Sequence, residues 1–298
     1  MIVHLDGRLL PAHDARVSVF DRGFIFGDGI YEGLRSVPSP GPSGTRVIGL
    51  RRHIRRMADG LRDARIDWNP ADLGPLVDAL LAANNLRDAF VYWQVTRGTP
   101  PAGAPVRSRV PAPGTRPTVF GYCTPLTALP ALPNPDPPIK TATTAADLRW
   151  LRGGMKSTSL IANILASLTG AESRADEVIL IRDVGPRRLV TEGTYTNVVI
   201  ATPSGELVTP ALDSAPMLPG VTRRILLDLD PALLERPVDE SDLRGAAEIL
   251  LLGTTTLVTS VTRLDGRPVG TGSPGPAARR LLTTLLRAID QGREDLPV

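Results

Sequence analysis

Residues 139–174 read IKTATTAADLRWLRGGMKSTSLIANILASLTGAESR, and three local patterns follow one another within them. IKTATTAA, with its β-branched residues, predicts a strand. The loop after it contains Gly153 and Gly154. From Thr158 to about Arg174 the sequence predicts a helix, with Ser157 or Thr158 as its cap. Lys156 therefore stands at a strand–loop–helix junction, held by its neighbours yet outside regular structure. Outward from this stretch, helices and strands mix without a regular βαβ beat, which predicts an α+β fold rather than a doubly wound one.

On the N-terminal side, IVHLDGRLL (2–10) predicts a hairpin turning at Asp6-Gly7. Leu50, Ile54, Met57 and Leu61 fall at helical spacing and predict a helix over about 49–64, with a second over about 71–84. AFVYWQVTR (89–97) and residues 117–123 predict strands around a Gly/Pro-rich loop. TPLTALPALPNPDPP (124–138) breaks both helix and sheet and reads as a spacer. Beyond residue 174, strands are expected at 177–182, 188–190, 194–201, 247–253 and 257–263, and helices at about 220–229 and 274–290. The division that follows is a small N-terminal domain over 1–122, a Pro-rich linker over 123–138 and a larger domain over 139–298.

Composition narrows the functions available. With 42% hydrophobic and 22% charged residues, the 298-residue chain can bury a core and is not of the disordered class. It has no apolar run of about 18 residues, so no membrane-spanning helix is expected. MIVHLDGRLL lacks the features of a signal peptide, and the single Cys123 cannot form an internal disulfide, so a cytoplasmic protein is expected. A net charge of +3 and 4% aromatic residues provide no basic stripe interleaved with aromatics, which argues against nucleic acid as partner.

Of the 34 Lys plus Arg residues, the lysines are Lys140 and Lys156. Where only positive charge is needed, this chain uses arginine. A retained lysine is a candidate for chemistry arginine cannot do, because a primary amine can lose its proton and attack a carbonyl. Lys140, beside prolines at a strand start, reads as a surface residue. In LVTEGTYTNVVI (189–200), Glu192 ends a strand before a hydroxyl-rich turn, and a carboxylate there suits a protonated ring nitrogen. In MLPGVTRRILL (217–227), Pro219 and Gly220 open a helix whose first N–H groups, with the Thr222 hydroxyl, can hold a phosphate. Thr254 and Thr255 in GTTTLV (253–258) offer a second hydroxyl-rich turn.

Taken together, DRGFIFGDGIYEGLR (21–35), HIRRM (53–57), VYWQVTRGT (91–99), RWLRGGMKS (149–157), TEGTYTNV (191–198), LPGVTRR (218–224) and the threonine turn at 253–256 carry a resemblance. In content and order they resemble the class IV aminotransferases, the fold type IV pyridoxal-phosphate enzymes, and within them the D-amino acid aminotransferases. The resemblance implies a two-domain α+β fold: a small N-terminal α/β domain and a larger, mixed, β-barrel-like domain with helices, the cofactor-binding one. It implies pyridoxal 5'-phosphate as cofactor, no metal, and a homodimer whose active sites draw on both subunits.

Residue by residue, it implies that Lys156 forms the Schiff base and carries the proton. Glu192 partners the pyridine nitrogen, and Leu218 lies against the ring. Arg56, Val221, Thr222 and Thr255 hold the phosphate. Tyr31, Glu32, Gly33 and Tyr195 fall where the family lines its substrate pocket. His53 stands at most behind the site, His4 and His13 are structural or exposed, and Trp68 and Trp150 pack. The sequence departs from the D-amino acid enzymes after Thr99, where Ala102 and Ala104 replace an Arg and a His that trap the substrate carboxylate. Gly33 is smaller and Tyr195 larger than usual. The implied activity is transfer of an amino group from a D-amino acid, and from an (R)-primary amine, to an α-keto acid such as pyruvate or 2-oxoglutarate. An aminodeoxychorismate lyase and a branched-chain L-amino acid aminotransferase are the alternatives. Arg35, Arg97, Arg107, Arg109 and Tyr31 are the substitutes available for the missing trap.

Overall fold

A computed structural model of the chain describes residues 1–41 and 43–295. The described residues form two compact units, one of Met1–Ala128 with Met155–Leu160, the other of Leu129–Gly154 with the residues from Ile161 on. The change of unit after Ala128 falls inside the Pro-rich stretch. The short segment Met155–Leu160 belongs to the first unit, so Lys156 does too, although the sequence division puts it in the larger domain.

The first unit runs β1 (Ile2–Leu5), β2 (Arg8–Pro11), α1 (Arg22–Phe26), β3 (Gly29–Pro38), β4 (Thr45–Val47), α2 (Leu50–Ala64), α3 (Leu73–Ala83), β5 (Ala89–Thr99) and β6 (Arg116–Pro125). Its strands form an antiparallel sheet in the order β2-β1-β6-β5-β3-β4. The β1–β2 hairpin turns at Asp6-Gly7, both at positive φ, as the Asp-Gly pair predicts. Leu34, Met57, Leu61, Leu73, Val77, Leu80, Val91 and Trp93 build the core between sheet and helices. Side chains alternate along a strand. Ile30, Glu32 and Leu34 of β3 therefore take the buried side, and Tyr31 and Gly33 the less buried one.

The second unit runs β7 (Ile139–Ala146), α4 (Ile161–Glu172), β8 (Glu177–Val184), β9 (Arg187–Gly193), β10 (Asn197–Ala201), β11 (Leu207–Thr209), α5 (Val221–Leu229), β12 (Leu233–Glu235), α6 (Glu240–Arg244), β13 (Glu248–Gly253), β14 (Leu257–Leu264), β15 (Arg267–Pro268) and α7 (Pro276–Asp290). The strands form a curled, mixed sheet in the order β12-β11-β10-β13-β14-β7-β8-β9, with β15 on β14. Pairings are parallel at β11–β12, β14–β7 and β7–β8. Ile179, Val190, Val198, Ile200, Ile249, Leu251 and Val261 fill its core. The α+β, two-domain architecture is the one expected.

Two local expectations are corrected. The helix begins at Ile161, not Thr158. Thr158 does not cap it, because its hydroxyl donates to Gly27 O and its N–H to Gly29 O. Trp150 is half exposed rather than packed. Among the described residues no helix is long and apolar enough to cross a membrane.

Candidate active site

In the first unit, the start of β3 pins the segment that carries Lys156. Tyr31 N donates to Lys156 O at 3.0 Å, Thr158 N donates to Gly29 O at 2.9 Å, and Ile30 bridges to Ser157. Met155 packs on the core beside it. The lysine backbone is thus tied down on both sides while its side chain stays half-buried. Lys156 Nζ lies 4.4 Å from the centre of the Tyr31 ring, a cation–π distance. Tyr31 stacks on Tyr92 (5.5 Å between centroids), and Tyr92 on Tyr122 (5.3 Å). Gly33 leaves room beside this row: a Cβ there would come within 3.0 Å of Phe90 Cε2.

Behind Tyr31 lies a buried ion cluster. Arg56 of α2 forks onto Glu32, Nε to Oε1 at 2.8 Å and Nη2 to Oε2 at 2.7 Å, and His53 Nδ1 lies 2.7 Å from Oε2. Burial alone would raise the Glu32 carboxyl, but Arg56 and His53 bring it down to about 2. Burial pushes the His53 imidazole below its ordinary value, against the pull of Glu32. His53 Nε2 is also buried without a partner, so a proton there would go unsatisfied. His53 is therefore the neutral ring that donates from Nδ1, and Arg56 supplies the positive charge. Glu32 does not line a pocket as expected: its side chain is 0% exposed and serves Arg56.

The substitutes for a carboxylate trap divide in two. Arg97 forks onto Asp28 and donates to the carbonyls of Ala64 and Arg65, while buried Arg35 donates to Thr127 O. Both have structural duties. Arg107 and Arg109 are exposed in the loop after Thr99, as is Ala102, whereas Ala104 is half-buried. Arg22, 4% exposed, ties that loop down by donating to Ser108 O and Arg109 O while pairing with Asp28.

In the second unit, Glu192 near the end of β9 is buried and held from several sides. Arg149 Nη1 approaches Oε1 at 2.5 Å, Asn197 Nδ2 approaches Oε2 at 3.2 Å, and Leu218 N approaches both oxygens at 3.2 Å. The following turn is fixed by Glu177, which accepts from Thr194 N, Thr194 Oγ1 and Thr196 Oγ1. Asn197 also donates to Leu218 O at 3.0 Å. Gly220 is required at this spot, because a Cβ would sit 1.7 Å from Asn197 Oδ1. Val221 and Thr222 open α5 and are buried, and the helix has no side-chain hydrogen bond at its N-cap. Its first N–H groups are a ready anion cradle. Thr254 is half-buried and Thr255 exposed in the turn between β13 and β14. Tyr195, also expected at the pocket, stands in the turn between β9 and β10. It is 57% exposed, accepting from Lys140 Nζ at 2.6 Å and donating to Asp176 O at 3.2 Å.

Each unit by itself carries groups whose chemistry suits pyridoxal phosphate: in the first a half-buried amine and an arginine, in the second a buried carboxylate for a cationic ring nitrogen and a helix N-terminus without a side-chain cap for a phosphate. Sequence reasoning missed Arg149 and Asn197. One more arginine among 32 carries no signal, and Asn197 reads as an ordinary strand residue. It also missed the Glu32–His53–Arg56 cluster, although an acid at a core position of IYEGL was the available clue.

Residues 29–264 match the family described as Amino-transferase class IV. A D-alanine aminotransferase of Bacillus licheniformis is 33% identical over 298 residues, covering 97% of this chain and 97% of its own length. Another, of Staphylococcus haemolyticus, is 30% identical and covers 94% of each chain. Among solved structures, a hypothetical aminotransferase from Mycobacterium tuberculosis in its PLP-bound form superposes with a TM-score of 0.76. It covers 98% of this chain and 100% of its own at 22% identity, a likeness of fold alone.

Proposed function

The chain belongs to the class IV aminotransferases, enzymes that use pyridoxal phosphate, and from that premise we propose that it moves an amino group from a D-amino acid, and also from an (R)-primary amine, to an α-keto acid. The observation that carries the reading is Lys156, its backbone clamped to β3 and its amine over Tyr31. The D-alanine aminotransferases that match nearly the whole chain support the handedness.

Pyridoxal phosphate, when bound, supplies a carbonyl that takes up the amino group and a ring that accepts electrons from the donor's α-carbon. Lys156 Nζ would hold the cofactor between turnovers and would take up and return the proton at the donor's Cα. Glu192 keeps the ring nitrogen protonated. Arg56, Val221, Thr222, Thr254 and Thr255 are the residues that would hold the phosphate, and Leu218 the one that would lie against the ring. Tyr31 and Gly33 border the donor.

Ala102 and Ala104 carry no charge for a substrate carboxylate, and Arg35 and Arg97 are engaged elsewhere. A site without a group dedicated to the carboxylate loses little when the donor lacks one. (R)-1-phenylethylamine is therefore expected to be a donor beside D-alanine, with kcat/KM values within about four decades of each other. The measurement is the two donors' kcat/KM with pyruvate as acceptor. A wider gap in favour of D-alanine means that a dedicated clamp is present, and a response to L-leucine alone moves the protein to the branched-chain reading.

A homodimer is the working unit in this reading. Ile161, Ile164, Leu165 and Leu168 form one face of α4, each more than half exposed, and Leu148, Trp150 and Leu151 are exposed beside the same loop in sequence. A monomer rarely leaves so much apolar surface to water. Sedimentation is expected to show a dimer at micromolar concentration, and a fully active monomer would refute the assignment.

A further inference from the structure

Glu192 is not an isolated carboxylate. The Arg149 guanidinium that reaches its Oε1 at 2.5 Å also forks onto Asp147, Nε to Oδ1 at 2.9 Å and Nη2 to Oδ2 at 3.0 Å. Asp147 is fixed in its turn: Arg182 Nη2 lies 3.0 Å from Oδ1, and Thr191 Oγ1 donates to Oδ2 at 2.9 Å. Arg182 also donates to the main-chain carbonyl of Arg149 at 2.7 Å, and Asp147 N donates to Ile181 O at 2.7 Å. Two acids and two arginines thus form a charge-balanced cluster, with no side chain more than 11% exposed.

Asp147 would be well paired by Arg182 and Thr191 alone. Arg149 adds a rigid coupling between Asp147 and Glu192, which only a planar guanidinium can make with one side on each. Burial disfavours the Arg149 charge, but the bonds to Asp147 and the charges of Glu192 and Asp147 outweigh it and hold the guanidinium above its ordinary value. Stability is a poor explanation for such a cluster, since buried ion pairs seldom surpass an apolar replacement. We propose that Arg149 is a positioning residue: anchored by Asp147 and Arg182, it fixes the orientation of the Glu192 carboxylate and so governs how firmly the cofactor's ring nitrogen is held. The proposal rests on the reading of Glu192 as that nitrogen's partner.

The test uses four holoenzymes: the parent, Arg149→Gln, Glu192→Gln and the double variant. In each, the absorbance of the bound cofactor is titrated with pH, and the cofactor dissociation constant is measured. Arg149→Gln is expected to raise the dissociation constant about tenfold or more. It is also expected to move the titration midpoint by about half a unit or more. In the Glu192→Gln background both effects should vanish, because the residue through which Arg149 acts is gone. Arg149→Lys, which keeps the charge without the fork, should behave like Arg149→Gln, and it carries the comparison if the glutamine variant does not fold. Effects that persist undiminished in the Glu192→Gln background would make Arg149 a bare charge and overturn the proposal. So would a loss of thermal stability in cofactor-stripped Arg149→Gln with dissociation constant and midpoint unmoved. If Glu192→Gln itself leaves the midpoint at the parent value, the role of Glu192 fails first and the proposal falls with it.

Discussion

Lys156→Ala will lower the rate of amino transfer by at least about four decades, the upper range for loss of a general acid–base catalyst, because the nucleophile is removed with it. The variant should nevertheless fold. The groups that hold this segment are main-chain ones, Lys156 O accepting from Tyr31 N and Thr158 N donating to Gly29 O, and alanine keeps both. Lys140 is the internal control. It is the other lysine of the chain, half-buried at the start of β7 with its Nζ 2.6 Å from the Tyr195 hydroxyl, and Lys140→Ala should leave the rate within about twofold of the parent, as changes near the surface do. Borohydride reduction of the holoenzyme followed by peptide mapping should place the cofactor on residue 156. A label on Lys140, no label, or a fully active Lys156→Ala variant would overturn the assignment.

Why Lys156 stands out in sequence, while its setting does not, follows from where the information lies. Its candidacy came from scarcity and from flanking glycines, both local. Its setting comes from the backbone of β3, more than a hundred residues earlier. That strand was itself unreadable by alternation, because Glu32 occupies a buried position that would normally be apolar. By contrast α2 and α7 were found to within two residues at each end, since their apolar residues recur at a helical period that needs no partner to be recognised. Short elements such as β4, β11, β12 and α6 give too few residues for any period to show.

The site divides along the same line. Glu192 and the LPGVT segment stand out in sequence because a turn or a helix start is a local event. Arg149 does not, because its partners are Asp147 and Glu192, which one arginine among many cannot advertise. The setting of Tyr195 was hidden from sequence for a related reason. Sequence puts it within the Thr194–Thr196 turn, and Glu177 takes both threonines inward while the tyrosine between them is left facing Lys140 and Asp176.

Glu32→Gln should destabilise the protein by about 3 kcal/mol at pH 7, well above the 0–1 kcal/mol of a surface ion pair. The glutamine has nearly the shape of the glutamate, so little packing is lost; what changes is that Arg56, 10% exposed, loses the charged carboxylate onto which it forks. The pH dependence gives an independent route to the same magnitude. Glu32 titrates at about 2 in the folded protein against an ordinary 4.5, and that difference is worth about 3 kcal/mol. Because the folded value is the lower one, the folded protein binds fewer protons. The contribution is complete above about pH 4.5 and is lost as pH falls through about 2. His53 acts in the same direction from a higher pH, its folded value lying below the ordinary 6.5, so acidification first disfavours its neutral form. Urea denaturation of parent and variant at pH 7, 5 and 3 measures both effects. The gap between them should be near its full size at pH 7 and 5 and clearly smaller at pH 3. A gap that is absent at pH 7, or unchanged at pH 3, would mean that Glu32 does not hold Arg56 as a charged pair. Because Glu32 orients the arginine assigned to the phosphate, the variant's cofactor affinity should fall together with its stability, and the fall should diminish over the same acid range.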